Sequence, residues 1–405
     1  MEIKTAKKKS IFRKVSEWLH LWLGLISGII VFVVCLTGGL WVFRYEVFYF
    51  TEKYQRLEEK QRAFLQPSVL EKQGKNYLNA HKDTGSVLMN ITYGKGKSAI
   101  LTFHLPAEKF AMLYLDPYTG HVVFDKREPS PAEMFFIVVR AGHRFLWLPQ
   151  KIGSPIVGSG CIIFLVILTT GLIWWWPKRW TKKTRDKSFK VKWDAKWKRL
   201  NIDLHNVLGF YSLLFVLLLT VTGITFSFHW FADGLYKTLT WQTHERLGEG
   251  GPHSDTLLAV KSVLHNKNDL VWQDMQQKHP DYSRVMINMP ENTKGAYHAT
   301  AFFGDGTLIY NRAQYYYDQF SLKRIYLNTQ DERSYDELSF GEKVYRMDFD
   351  IHTGQILGLP TKILAFIACI IGASLPVTGT IIWYNRKWGK KKPIKENRQT
   401  QSNIV

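Results

Sequence analysis

Long apolar runs alternate with polar stretches along this chain. Four of the runs are long enough to cross a bilayer, which takes about 20 residues each: 18–43, 153–176, 205–231 and 361–384. The first, HLWLGLISGIIVFVVCLTGGLWVF from His20, is too long for a cleavable signal peptide and lacks a small-residue cleavage site. After it, residues 44–65 carry a charged pattern, TEKYQRLEEKQRAF, that predicts a helical stalk. From Pro67 to about Lys126 the pattern changes to short β-like runs, VLMNITY, SAILTFHL, FAMLYLD and HVVFD, parted by turn signals. These predict a small α+β domain within 44–150 and a longer counterpart within 232–357. The fold class is therefore integral membrane α-helical, with four transmembrane helices and two α+β domains outside the membrane.

The first and third runs share landmarks. Gly24 follows His20 by four residues, and Thr37-Gly38 follow by seventeen and eighteen; Gly209 and Thr222-Gly223 follow His205 at the same distances. The second and fourth runs match too. Each is preceded by a histidine and Leu-Pro, His143 with Leu148-Pro149 and His352 with Leu359-Pro360. Each then carries Thr-Gly and Trp, Thr170-Gly171 with Trp175 and Thr378-Gly379 with Trp383. The pattern predicts a parallel internal duplication, its halves near 1–180 and 195–388. Three phrases beginning at Asp116, Asp318 and Asp350 each predict strand, turn and strand. Asp accepts backbone hydrogen bonds in such a turn, and Gly120 or Gly354 supplies positive φ.

The net charge of +20 suggests nucleic acid until its location is considered. Lys7, Lys8, Lys9, Arg13 and Lys14 fall in or beside the lead 1–17. Eleven Lys and Arg lie between Lys178 and Arg199 in the loop 177–204. Arg386, Lys387, Lys390, Lys391 and Lys392 fall in the tail 385–405, which is polar and expected to be disordered after Pro393. With four spans all three clusters share one side, the positive-inside pattern. Both termini are then cytoplasmic, and membrane lipid replaces nucleic acid as the partner. Cys35, Cys161 and Cys369 lie inside predicted spans and cannot staple an outer domain. Trp174, Trp175, Trp176, Trp180, Trp383 and Trp388 read as an aromatic belt without a catalytic role.

Four of the thirteen histidines occupy matching places. His20 and His205 stand at the cytoplasmic ends of the first and third spans; His143 and His352 stand just outside the second and fourth. Ionisable groups at membrane depth are costly and commonly functional, and imidazole is the usual nitrogen ligand of haem iron. Two imidazoles on facing helices can hold one planar metal centre, giving a pair at each membrane face. Gly24 and Gly209 lie one turn from the inner ligands, where a side chain would strike a macrocycle. Gly38 and Gly223, five helical turns along, would open space near the outer pair. Other accounts stay open: close helix packing for the glycines, interfacial anchoring for the histidines, and a turn role for His352. His229 is the rival outer ligand, although Arg44 holds the matching place in the first span. The remaining eight histidines read as surface residues.

His20-x-x-x-Gly24 with Thr37-Gly38, the Asp-x-x-Thr-Gly turns, and Thr170-Gly171 before Trp174-Trp175-Trp176-Pro177 resemble the PepSY-associated transmembrane proteins. Some of these are called iron-regulated membrane proteins, and the resemblance covers nearly the whole chain. The family includes inner-membrane siderophore reductases with two b-type haems held by paired histidines. The resemblance implies PepSY-like outer domains, two haem b groups on His20, His143, His205 and His352, and a place in the bacterial inner membrane.

The expected mechanism is a transmembrane electron wire that reduces a periplasmic ferric chelate, such as a ferric siderophore. No Gly-x-Gly-x-x-Gly follows a strand; Gly94-Lys-Gly-Lys and Gly248-Glu-Gly-Gly fail on context. The donor is then a separate cytoplasmic reductase or a membrane quinol. The outer pocket is expected near His143 and His352; Tyr315, Tyr316 and Tyr317 read as alternating strand residues that could also line it. A membrane-anchored binding or regulatory module, and a transporter for chelate or haem, are the other classes open to this sequence.

Overall fold

The first span begins where Ser10 accepts a hydrogen bond from the Arg13 amide at 3.4 Å. It then runs unbroken through Ile11–Val42, 32 residues of helix, so it starts earlier than the apolar run alone implies. The structure, a computed structural model, describes residues 10–245, 251–261, 264–327 and 329–389. Lys7, Lys8, Lys9, Gly248-Glu-Gly, Lys390, Lys391, Lys392 and the tail after Pro393 lie outside the described residues. Four helices are long and apolar enough to cross a membrane: Ile11–Val42, Gln150–Trp175, Trp197–Thr225 and Leu359–Lys387. The third stops at Thr225 rather than near residue 231. Phe228 is extended (φ −133°, ψ 116°), and a separate helix, His229–Thr240, begins after it. The first span packs on the second and fourth, and the third closes the bundle against both. Val31, Phe164, Leu168, Val216 and Ala368 meet in the middle, so every span contributes to one apolar core.

The stalk expected over 44–65 is helical only at Arg44–Thr51, with a short turn at Lys53–Gln55. The outer segments supply eight strands: β1 Val87–Gly94, β2 Ala99–Leu105, β3 Lys109–Leu115, β4 Val122–Lys126, β5 Arg284–Asn288, β6 Ala296–Phe302, β7 Arg312–Asp318 and β8 Arg324–Ile325. They do not form two sheets. All eight join in one antiparallel sheet of order β4-β3-β2-β1-β5-β6-β7-β8. The seam is β1 against β5, with Ile91 opposite Ile287 and Asn90 opposite Asn288. Each hairpin stack alone would leave a long apolar edge strand unpaired, and pairing the two edges removes that exposure.

Helices Pro67–Ala80 and Lys267–Lys278 cover one face, burying Leu70, Leu78, Trp272 and Met275 against Ile91, Phe103 and Ile287. The two helices are tied by Asp269, which accepts from the Ser68 amide at 2.7 Å and its hydroxyl at 2.5 Å. The Asp116 phrase is the hairpin turn its sequence predicts. Its carboxylate accepts from the Tyr118 amide at 2.7 Å, and Gly120 has φ +77°. Asp318 plays the same part between β7 and β8. The third phrase departs: Asp348–His352 is a helical turn, because Asp350 points its carboxylate away to the Ile309 and Tyr310 amides, at 3.1 and 2.8 Å. Tyr315, Tyr316 and Tyr317 are all buried in β7. Among the histidines expected at the surface, His104, His244, His279 and His298 are half-buried; His279 meets the Tyr315 hydroxyl at 2.8 Å, and His298 stacks on Tyr316 at 4.5 Å.

Because Ile287 is fully buried on the seam, Ile287→Ala should cost about 2–5 kcal/mol in the outer layer. Hydrogen exchange should show protection lost in β1 and β2 as well as in β5 and β6.

Candidate functional site

The four histidines form two pairs. On the side of the membrane bearing the loop 177–204, the ring centres of His20 and His205 lie 6.3 Å apart at 88°. On the sheet side, those of His143 and His352 lie 5.9 Å apart at 54°. Two imidazoles bound to opposite faces of one metal, each at about 2 Å, place their ring centres about 6 Å apart. His229, the other candidate beside His143, is an exposed residue opening the helix His229–Thr240.

Every ring is seated in the same way. His143 Nδ1 donates to the Val34 carbonyl at 2.9 Å and lies 3.5 Å from Thr37 Oγ1. His20 Nδ1 donates to the Ile167 carbonyl at 3.1 Å, with Thr170 Oγ1 at 3.3 Å. His352 Nδ1 donates to the Leu219 carbonyl at 3.0 Å, with Thr222 Oγ1 at 3.1 Å. His205 Nδ1 meets Thr378 Oγ1 at 2.9 Å, and the Leu375 carbonyl accepts from it as well. In each seat the carbonyl lies three residues before the threonine. The threonine directs its own O–H to the carbonyl four residues back, at 2.6–2.9 Å, so its oxygen remains an acceptor. A neutral imidazole has one donor and one acceptor nitrogen. With Nδ1 donating, the lone pair sits on Nε2 in all four rings. Burial drives His143 and His352 below the ordinary imidazole range, which favours their neutral form.

The residue after each threonine is glycine, and the reason is contact. A Cβ on Gly38 would lie 3.0 Å from His143 Cε1, and one on Gly171 3.0 Å from His20 Cε1. A Cβ on Gly223 would lie 3.0 Å from His352 Cε1, and one on Gly379 3.2 Å from His205 Cε1. Thr170-Gly171 and Thr378-Gly379 thus hold the inner histidines, a role their appearance as sequence landmarks does not disclose. The signal was available: Thr-Gly occurs once in each span. Gly24 and Gly209 line a cavity of about 340 Å³ between His20 and His205, within the size range of small-molecule and cofactor sites. A Cβ on Gly24 would meet nothing within 4 Å.

Two tryptophans of the expected belt also belong to this site. Trp174 stands edge-on to His20 at 5.5 Å, and Trp175 stacks on Phe210 at 3.8 Å. His205 lies in a π-helical turn, Leu204–Leu208, a distortion common at functional positions; His20 lies in regular helix.

The profile of the PepSY-associated TM region matches residues 17–386. The chain belongs to the PepSY-associated transmembrane family. Among curated proteins, none matches the chain. In this PepSY-associated protein no group of three or more His, Cys, Asp or Glu gathers as a metal site among the described residues. Each histidine pair offers two nitrogens, so a metal held there must bring its remaining ligands with it.

Asp348 lies one helical turn before His352. Its Oδ2 accepts from Thr225 Oγ1 at 2.5 Å, its Oδ1 is buried without a partner, and burial pushes its carboxyl up to about 7. An acid raised on folding supports the fold while protonated, and that support fades as pH rises through about 7. Asp348→Asn should therefore match the wild type below about pH 4, where the unfolded carboxyl is still protonated, and exceed its thermal stability at pH 8, by on the order of 2 kcal/mol. In the ligand-free protein, Gly171→Ala and Gly223→Ala should lower the melting temperature by forcing the rings aside, whereas Gly24→Ala should not.

Proposed function

We propose that this protein carries electrons across the bacterial inner membrane through two haem b groups, one on His20 and His205 and one on His143 and His352. The electrons reduce a ferric chelate, such as a ferric siderophore, on the periplasmic side, where the sheet lies. One observation carries this reading. The same seat recurs four times, and it leaves the Nε2 atoms of two neighbouring imidazoles available at each end of one apolar bundle, with ring centres 6.3 and 5.9 Å apart, near the spacing of a bis-imidazole metal. A metal with only two protein ligands calls for a macrocycle to supply the others.

Bound haem would supply a reversible one-electron Fe(III)/Fe(II) couple. The rest is the work of this chain. The Nδ1–H···O=C bonds fix each ring's orientation and raise the basicity of its ligating nitrogen. Gly38 follows His20 by 18 residues, about 27 Å of helix, so the two pairs stand near opposite faces. Val31, Phe164, Leu168, Val216 and Ala368 keep the space between them dry, and a dry, low-dielectric setting tunes the potential. Reduction to Fe(II) weakens hard oxygen ligands and frees iron from its chelator. The electron donor is a cytoplasmic reductase or a membrane quinol. On this reading both termini are cytoplasmic, the outer layer is PepSY-like, and the four matched seats descend from a tandem duplication.

The test is a spectrum of the detergent-purified protein, oxidised and dithionite-reduced, with a pyridine haemochrome assay after expression with ample haem. About two haem b per chain are expected. His20→Ala or His205→Ala should remove one low-spin component and His143→Ala or His352→Ala the other, while His229→Ala should remove neither. A colourless protein would leave a membrane-anchored binding module as the reading.

A further inference from the structure

The cavity lined by His20 and His205 has a largely apolar wall that also holds two cations. Leu25, Phe164, Leu168 and Leu213 contribute apolar surface, and Lys187 and Arg386 the positive charge. Arg386 comes from the last turn of the fourth span, and its guanidinium lies 5.5 Å from the Trp174 ring centre. Trp174 is the ring that stands edge-on to His20. Lys187 comes from the helix Lys182–Phe189 in the basic loop. That helix is docked: the Ser188 carbonyl accepts from Trp175 Nε1 at 3.2 Å, and Phe189 packs edge-on to Trp175 at 5.2 Å. The backbone at Lys187 is therefore anchored beside the cavity, while its side chain is exposed.

Some nearby charges are matched, although Lys182, Lys183, Arg185, Lys196 and Lys198 form no ion pair among the described residues. Arg13 faces Glu17 at 3.6 Å, Lys190 faces Asp186 at 3.3 Å, and Arg199 faces Asp203 at 2.7 Å. Among the described residues no carboxylate forms an ion pair with Arg386 or Lys187. Topology accounts for positive charge on this side of the membrane. It does not account for the placement of two cations in the wall of the same cavity that His20 and His205 line. The ligand this wall fits is apolar through its middle and carries two acid groups along one edge.

We propose that Arg386 and Lys187 bind the two carboxylates of the inner tetrapyrrole, so that it lies with its acid edge toward the loop side. The inference rests on the haem reading above and adds the orientation of the bound group and the residues that set it. Charge-assisted hydrogen bonds to a carboxylate are among the stronger contacts available there. Arg386 can offer two parallel N–H donors, whereas Lys187 acts as a point charge.

The experiment compares iron protoporphyrin IX with its dimethyl ester, which keeps the ring and the iron but has no free carboxylate. The full chain carrying His143→Ala and His352→Ala, which leaves only the inner pair, is titrated with each in detergent. The free acid should bind roughly ten-fold or more tightly than the ester. That preference should vanish in Arg386→Gln/Lys187→Gln and survive largely in Arg386→Lys. An undiminished preference in the double variant would overturn the proposal. A second measurement keeps all four histidines. In a potentiometric titration, Arg386→Gln/Lys187→Gln should lower the midpoint of one haem and leave the other in place, since losing nearby positive charge favours the ferric state. Two unmoved midpoints would also overturn it. A wild-type protein that binds no haem defeats the haem reading itself; one that binds haem but ignores the ester and the variants defeats only the assignment of Arg386 and Lys187.

Discussion

An imidazole N–H can reach a backbone carbonyl inside a helix only if the helix yields space at that carbonyl. Helical carbonyls are already hydrogen-bonded along the axis, but each has a second lone pair. Using it brings the ring against the helix surface, and any Cβ in the way would collide. Glycine after threonine answers that constraint at residues 38, 171, 223 and 379. In an apolar bundle an unsatisfied N–H would be costly, so the seat is strongly specified. It also decides which helices must meet. The first span holds a histidine from the chain before the second, and the second holds one from the first. The third and fourth spans are bound in the same reciprocal way.

Much of this was legible in the chain. The four spans follow from apolar length, and the four histidines follow from matched positions. Thr-Gly was visible as a landmark, yet its meaning was not, because the histidine served by each pair lies on another segment. Residues 37 and 143, or 170 and 20, are linked only through packing. The seam between β1 and β5 was hidden for a similar reason. Strand patterning tells which face of a strand is buried, but not which edge finds which partner. The helical turn at Asp348–His352 departs from the strand–turn pattern although Asp350 resembles a turn aspartate in sequence. Its carboxylate instead satisfies two amides ahead of β7, which frees the local backbone to wind.

The two ends of the bundle differ in their surroundings. The inner pair lines a cavity whose wall includes tryptophans and cations, and one of its histidines sits in a π-helical turn. The outer pair is packed beneath the helical turn that carries His352, with Phe226 edge-on to that ring at 5.3 Å. Asp350 and Arg346 on this segment are bonded to the backbone just before and at the start of β7. Displacement of β7 would therefore be felt at His352 through a short chain of hydrogen bonds, a direct physical link between the sheet and the outer pair.

The shared sheet also bears on the order in which the molecule can be made. β1 ends at Gly94 and its partner β5 begins at Arg284, about 190 residues later. At translation rates of about 5–20 residues per second, the inner edge of the first four strands waits roughly 10–40 s for its neighbour. Two spans must enter the membrane in that interval. During this time β1 is an apolar strand with open hydrogen bonds, the kind of edge that pairs with whatever is at hand. A nascent chain of this design is thus most vulnerable midway through its own synthesis, when half of a sheet stands complete without its other half.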